Sequence, residues 1–178
     1  IHLEEDTAQS THDIHEKSLV NFNRAGVPLM ELVTEPVIHD AEPAVKFAKE
    51  LQLLLRYLNA GEANLEKGEM RVEANISVSK TEKFGTKTEV KNLNSFKAVE
   101  KAIAYEIERQ INSLENGEVV IQETRGWDEN TGKTYSQRLK ESSHDYRYFP
   151  EPDLPKLKIS EIPEFSKESI ETTLPELP

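Results

Sequence analysis

Between residues 41 and 58 the apolar positions Phe47, Leu51, Leu54, Leu55 and Leu58 recur at intervals of three and four, with Lys46, Lys49, Glu50 and Arg56 between them. That spacing gathers the apolar groups on one side of an α-helix, so it predicts an amphipathic helix. Asp40 is placed to cap its start, Pro43 falls where only a first turn tolerates proline, and Gly61 follows its end. A second helix is predicted over 95–114. Ser95 can cap it, Phe96, Val99, Ile103, Ile107, Ile111 and Leu114 form its stripe, and Asn116-Gly117 stops it.

Elsewhere the period is two. Over 70–79, Met70, Val72, Ala74, Ile76 and Val78 alternate with Arg71, Glu73, Asn75, Ser77 and Ser79, the pattern of a half-buried strand. Residues 86–93 repeat it with Lys87, Glu89 and Lys91 on one face, and 118–125 and 133–140 flank a turn-rich link from Asp128 to Gly132 that suits a hairpin. Strands and helices do not alternate regularly, and no internal repeat is visible. The fold class expected is α+β, an antiparallel sheet whose apolar face is backed by two helices. From Phe149 onward the prolines at 150, 152, 155, 163, 175 and 178 predict an extended strap. The chain therefore reads as a compact unit over 1–155 followed by a Pro-rich acidic connector over 156–178.

Length adds that one domain, or one with an appendage, fits 178 residues and 20.3 kDa. Hydrophobic residues are 36% and charged residues 31%, with a mean hydropathy of -0.65 and no apolar run long enough to span a bilayer. The net charge of -11 has the wrong sign for gripping phosphate backbones over the whole surface. That charge is uneven: residues 1–40 carry eight acids and two bases, 41–150 eighteen and seventeen, 151–178 seven and three. With no cysteine there is no disulfide framework and no thiolate metal site, and the cytoplasm is the expected compartment. A start at Ile1-His2-Leu3-Glu4-Glu5, without Met or a basic leader, suggests a piece of a longer protein.

Candidate chemistry falls in three places. The amino-terminal stretch holds His2, His12, His15 and His39 with Glu4, Glu5, Asp6, Glu31 and Glu35, oxygen donors that suit a hard cation such as Mg²⁺ but equally a solvated acidic edge. Glu31 stands out because it interrupts the apolar run Val27-Pro28-Leu29-Met30-Glu31-Leu32-Val33, where an inward carboxylate needs a partner. On the predicted sheet, Arg71, Glu73, Asn75, Lys87, Glu89, Lys91, Glu123, Arg125 and Arg138 could form a polar face. It reads either as mutual ion pairs or as a floor for an anionic substrate and its metal. The segment from His144 to Pro155 packs Asp145, Tyr146, Arg147, Tyr148 and Phe149 among prolines, as a rigid exit from the domain or as the rim of a site. Gly132-Lys133-Thr134 mimics the end of a phosphate loop, but its spacing from Gly126 and its hairpin setting are wrong for one.

Five runs in order carry a resemblance over roughly residues 1–160. They are His2-Leu-Glu-Glu-Asp6, Asn23-Arg-Ala-Gly-Val-Pro-Leu-Met-Glu-Leu-Val-Thr-Glu-Pro36, Phe84-Gly-Thr-Lys-Thr-Glu-Val-Lys-Asn-Leu-Asn-Ser-Phe96, Gln122-Glu-Thr-Arg125 and His144-Asp-Tyr-Arg-Tyr-Phe-Pro-Glu-Pro-Asp153. Together they resemble the B-subunit family of tRNA-dependent amidotransferases (GatB). The resemblance implies a catalytic part similar to the glutamine synthetase/guanido kinase fold. It also implies amidation of Glu or Asp misacylated on the glutamine or asparagine tRNA, with ATP and Mg²⁺ activating the carboxylate as an acyl phosphate. Ammonia would come from the glutaminase, or A, partner, with the small C partner completing the assembly. By motif position, Glu5, Glu31 and Glu89 would be catalytic metal ligands; Glu4 and Glu73 would be additional ligands on physical grounds rather than by a known family assignment. Glu73 stands where the family is expected to carry Asp. Lys87, Lys91, Arg125, Arg138 and Arg147 would contact phosphate and substrate. The family extends in both directions past this chain, so the chain is expected to be the centre of a catalytic domain, inactive alone, with most of the tRNA contacts elsewhere. Two other readings compete: a binding module that docks the other members of the assembly, and another ATP-dependent carboxylate–amine ligase.

Overall fold

The computed structural model describes residues 1–12, 18–139 and 154–165. The chain divides into two compact units, one formed by Ile1–Val33 with Asp145–Pro178 and the other by Thr34–His144.

In the first unit, strands β1 (His2–Glu5) and β4 (Pro28–Glu31) pair antiparallel, as do β2 (Gln9–His12) and β3 (Ser18–Asn21). The β1–β4 ribbon continues through Asp6, whose N–H donates to the Val27 carbonyl at 2.8 Å and whose carbonyl accepts from the Gly26 N–H at 3.0 Å. Asp6 itself is buried and holds Arg24 Nε at 2.8 Å. Of the expected Pro-rich connector, the described part forms two short 3₁₀ turns, Ile159–Glu161 and Pro163–Phe165.

The second unit carries the hydrophobic core. Helix α1 spans Ala41–Tyr57, with the Asp40 carboxylate accepting from the Ala41 N–H at 2.7 Å, and α2 spans Phe96–Glu115, with Ser95 Oγ accepting from the Ala98 N–H at 3.0 Å. Both caps are the expected ones. The buried faces match only in part: Val99 and Ile103 of the expected α2 stripe are buried and Phe96 and Ile107 pack at the core's edge. On α1 the buried residues are the small Ala41, Val45 and Ala48, while Phe47 and Leu58 are exposed. On α2 they are Ala98, Val99, Ala102, Ile103, Glu106 and Gln110, while Ile111 is exposed. Small side chains let the two packed helices approach closely, and this rotates the larger residues to the margin.

Four strands, β5 (Ala74–Ile76), β6 (Thr88–Lys91), β7 (Glu123–Asp128) and β8 (Lys133–Leu139), lie in that order in one sheet. The sheet is mixed, which corrects the antiparallel expectation: β5–β6 and β7–β8 are antiparallel, but β6 and β7 run parallel. The cause is α2, which connects β6 to β7. A helical crossover returns the chain to the same end of the sheet, as a tight hairpin cannot. The hairpin link between β7 and β8 is as expected, although its first strand runs over Glu123–Asp128 rather than 118–125: Asp128 Oδ1 accepts from the Asn130 N–H at 2.9 Å, and Gly132 takes the left-handed conformation at φ 64°.

The ladder of β5 is shorter than the predicted 70–79. Beyond Ile76 the Val78 N–H goes to the side chain of Gln110 at 3.1 Å instead of to a strand. The alternation nevertheless holds, with Arg71, Glu73 and Asn75 exposed and Ile76 buried. Beneath the sheet Val90, Leu93, Val99, Ala102, Ile103 and Trp127 form the core, with Tyr105 edge-on to Trp127 at 6.3 Å.

Candidate functional site

On the β1–β4 ribbon, pairing sets which groups share a face. His2 lies opposite Glu31 and Glu4 opposite Leu29, so His2, Glu4 and Glu31 share one face, and all three are half-buried. His2 Nε2 is 3.6 Å from Glu4 Oε1. Glu5, opposite Pro28, belongs to the other face with Leu3 and Met30. Its Oε1 packs against Gly26, where an added Cβ would stand 3.4 Å away. Gly26 has a φ of 79°, so the tight turn there favours glycine. Glu5 and Glu31, expected as joint ligands, therefore point to opposite sides of a two-stranded ribbon.

In the second unit the sheet face opposite α2 carries part of the expected set, Glu89 and Lys91 foremost, along two rows of paired residues. Asn75, Glu89, Thr124 and Arg138 are neighbours in one row through successive strand pairs. Lys91 and Gly126 pair in the next, followed by Tyr135. Lys91 Nζ bridges two carboxylates, at 2.9 Å from Glu73 Oε1 and 3.7 Å from Glu89 Oε1. Glu89 is the more covered of the two acids, and its Oε2 accepts a hydrogen bond from Thr124 Oγ1 at 3.0 Å. Lys87 is half-buried at the start of β6 and follows the same alternation. Gly126 has a local reason: a Cβ would come within 2.6 Å of the Tyr135 ring, which lies across it.

Arg125 does not belong to this face. It pairs with Val90, turns toward α2 and is 13% exposed. Its Nε donates to Thr134 Oγ1 at 2.9 Å, its Nη2 to the Thr134 carbonyl at 2.9 Å and its Nη1 to Glu123 Oε1. It also lies 3.5 Å from Glu106 Oε2. The alternation of β7 assigns Arg125 and Trp127 to one side and Thr124 to the other, which the mixed polar composition of the strand hides.

Glu106 is the centre of a buried polar network that sequence reasoning missed. Arg109 Nε and Nη2 donate to its two oxygens at 2.9 and 2.6 Å. Thr88 Oγ1 donates to Oε1 at 2.8 Å, Gln110 Nε2 to Oε1 at 3.0 Å and Thr134 Oγ1 to Oε2 at 3.0 Å. Burial by itself would raise the pKa of this carboxyl. The hydrogen bonds from Arg109, Gln110 and Thr88 and the charge of Arg109 outweigh it, and hold the pKa below the ordinary value of 4.5. The signal was present in the chain: Glu106 and Gln110 continue the helical spacing of the buried Val99, Ala102 and Ile103, and Thr88 falls on the inward face of β6 with Val90.

Asp145, Arg147 and His15 lie outside the described residues, and the side chain of Arg138 does too. Among the described residues no three His, Asp or Glu side chains gather as a metal cluster. The donors come as smaller sets, His2 with Glu4 and Glu73 with Glu89, and carboxylate oxygens suit Mg²⁺. That ion keeps several waters and commonly takes one or two protein carboxylates plus substrate phosphates, so the donor chemistry fits. No described helix is long and apolar enough to cross a membrane.

Comparison with known proteins places these residues in a family context. The family model described as the GatB/GatE catalytic domain matches residues 1–163. A protein of Thermodesulfovibrio yellowstonii, named as the B subunit of an aspartyl/glutamyl-tRNA(Asn/Gln) amidotransferase, is 53% identical over 180 residues, covering 100% of this chain and 37% of the relative. Its namesake in Crocosphaera subtropica is 49% identical over 186 residues, again covering 100% of this chain and 37% of the relative. That in Picosynechococcus is 49% identical over 168 residues, 90% of this chain and 34% of the relative. The chain thus spans little more than a third of the length of these curated relatives. With a family model matched over most of its length and relatives near half identity, this chain belongs to the GatB/GatE catalytic domain family.

Proposed function

We propose that this chain is the central part of the B subunit of a tRNA-dependent amidotransferase. In the reaction, ATP activates the side-chain carboxylate of Glu or Asp misacylated on the glutamine or asparagine tRNA, and ammonia then replaces the activated oxygen. The observation that supports this reading best is the open sheet face where Glu73, just before β5, meets Lys91 and Glu89 of β6, in a chain whose relatives carry that name.

The chemistry needs such a face because a carboxylate does not react with ammonia. Its oxygen attacks the γ-phosphorus of ATP and ADP leaves; ammonia then attacks the carbonyl carbon, phosphate departs, and the amide nitrogen loses a proton. Bound Mg²⁺ would supply neutralisation and orientation of phosphate oxygens. On this reading Glu89 and Glu73 would hold the ion in the second unit, and Glu31 with Glu4, and Glu5 on the other face, are the carboxylates offered by the first. Lys91 and Lys87 offset the charge of transferring phosphate, and Arg138 and Arg147 belong to the same reading as substrate contacts. Arg125 has a different part, since its guanidinium is committed beneath the sheet. The glutamine synthetase/guanido kinase likeness, the glutaminase (A) partner as ammonia source, the small C partner and cytoplasmic action all belong to the same proposal. A chain spanning 37% of its relatives is expected to be inactive by itself.

Glu89→Gln in the full-length protein within its assembled enzyme is the test. Phosphate release dependent on ATP and misacylated tRNA should fall roughly 100-fold or more with the assembly intact. Undiminished phosphate release would sink the proposal, and loss of assembly instead would favour a docking module.

A further inference from the structure

We infer that Thr124 is a positioning residue for Glu89, fixing which carboxylate oxygen is presented to a cation on the open face. The inference rests on the proposed role of Glu89 and adds a residue to it. Thr124 Oγ1 donates to Glu89 Oε2 at 3.0 Å, while Oε1 is the oxygen turned toward Lys91 Nζ, at 3.7 Å. A hydrogen bond to one oxygen restrains a carboxylate about its last torsion, which favours one direction for Oε1.

The anchor is itself held. Thr124 is 5% exposed, and the strand register shifts between it and Arg125. Such an irregularity re-aims the side chain beside it. On the other side of the strand, Arg125 is tied to Thr134 by two hydrogen bonds and lies 3.5 Å from the buried Glu106 carboxylate. A charged network under the sheet thereby pins Arg125, and the residue before it, on the upper side, orients Glu89. Valine keeps the shape of threonine without the hydroxyl, so it isolates the hydrogen bond.

The experiment uses the full-length protein in its assembled enzyme, with Mn²⁺ as the probe, its free concentration followed by electron paramagnetic resonance without turnover. Thr124→Val should weaken Mn²⁺ binding about tenfold and raise KM for the metal–ATP complex by a similar factor, with less change in kcat. Thr124→Ser should restore both, because it returns the hydroxyl. If the valine variant does not assemble, Thr124→Ala should show the same weakening. Wild-type Mn²⁺ binding in the valine or alanine variant, beside a loss in Glu89→Gln, would overturn the positioning role alone, as would failure of serine to rescue. Wild-type binding in Glu89→Gln would instead remove the reading on which the role depends.

Discussion

Glu106 shows what a buried charge requires. Its side chain has no exposed surface, yet five donors from Arg109, Thr88, Gln110 and Thr134 surround its two oxygens, and Arg125 adds a second positive charge. Removing the charge leaves the two guanidiniums partly uncompensated in a largely dry environment, with Glu123 as the remaining carboxylate at Arg125 among the described residues. Glu106→Gln should therefore destabilise the chain by about 3 kcal/mol at neutral pH, read from the urea midpoint. The pH dependence has a definite sign. Because the folded pKa is lowered from 4.5, the contribution is complete above that value and is lost as pH falls through the lower folded value. The gap between wild type and Glu106→Gln should be full at neutral pH and should narrow as the pH falls below the ordinary value of 4.5. At this scale the sequence was least legible. Alternation separated Glu89 and Lys91 from Val90, but it could not distinguish Arg125, paired beneath the sheet, from Lys91, exposed above it. Charge alone does not say which side of a strand is wet.

Element boundaries were more legible than element faces. Asp40, Pro43, Ser95 and Gly117 mark helix ends because capping is local chemistry, decided within one turn. Which stripe of a helix is buried depends on what packs against it, and alanines chosen for close approach displaced Phe47 and Ile111 from the expected faces. The parallel pairing of β6 and β7 was hidden for the same reason, since short polar strands read alike whichever neighbour they find. One close approach between elements gives a direct test. A Cβ on Gly85 would stand 2.1 Å from the Val78 carbonyl oxygen and 3.0 Å from its carbon, both backbone atoms that cannot rotate away. Gly85→Ala must separate the segment entering β6 from the one leaving β5, at a cost of about 1–3 kcal/mol, within the range for overpacking. A melting temperature unchanged from wild type would show that the two segments are free to part.

Across the whole molecule, core and charge are divided unequally. Every residue of the main hydrophobic cluster, from Ala41 to Trp127, lies in the unit Thr34–His144. That unit holds nineteen acids against sixteen bases, so most of the net charge of -11 belongs to the rest of the chain. Self-repulsion in such a unit is weak, and the buried network around Glu106 is drawn from within it: Glu106, Arg109, Gln110, Thr88, Arg125 and Thr134 all belong to the unit. A chain cut to residues 34–144 should then unfold cooperatively by itself, as small domains with one core usually do. Trp127 is the reporter, because it is the single tryptophan of the sequence and is 2% exposed in that core. Its emission in the cut chain should stay that of a buried indole and should lose it in one transition, with a urea midpoint close to that of the 178-residue chain. A solvent-exposed spectrum before any urea is added would mean that the core needs the acidic segments for more than continuity of the chain. The sheet face bearing Glu73, Lys91 and Glu89 could then no longer be treated as a platform held up from below by Glu106 and Arg125.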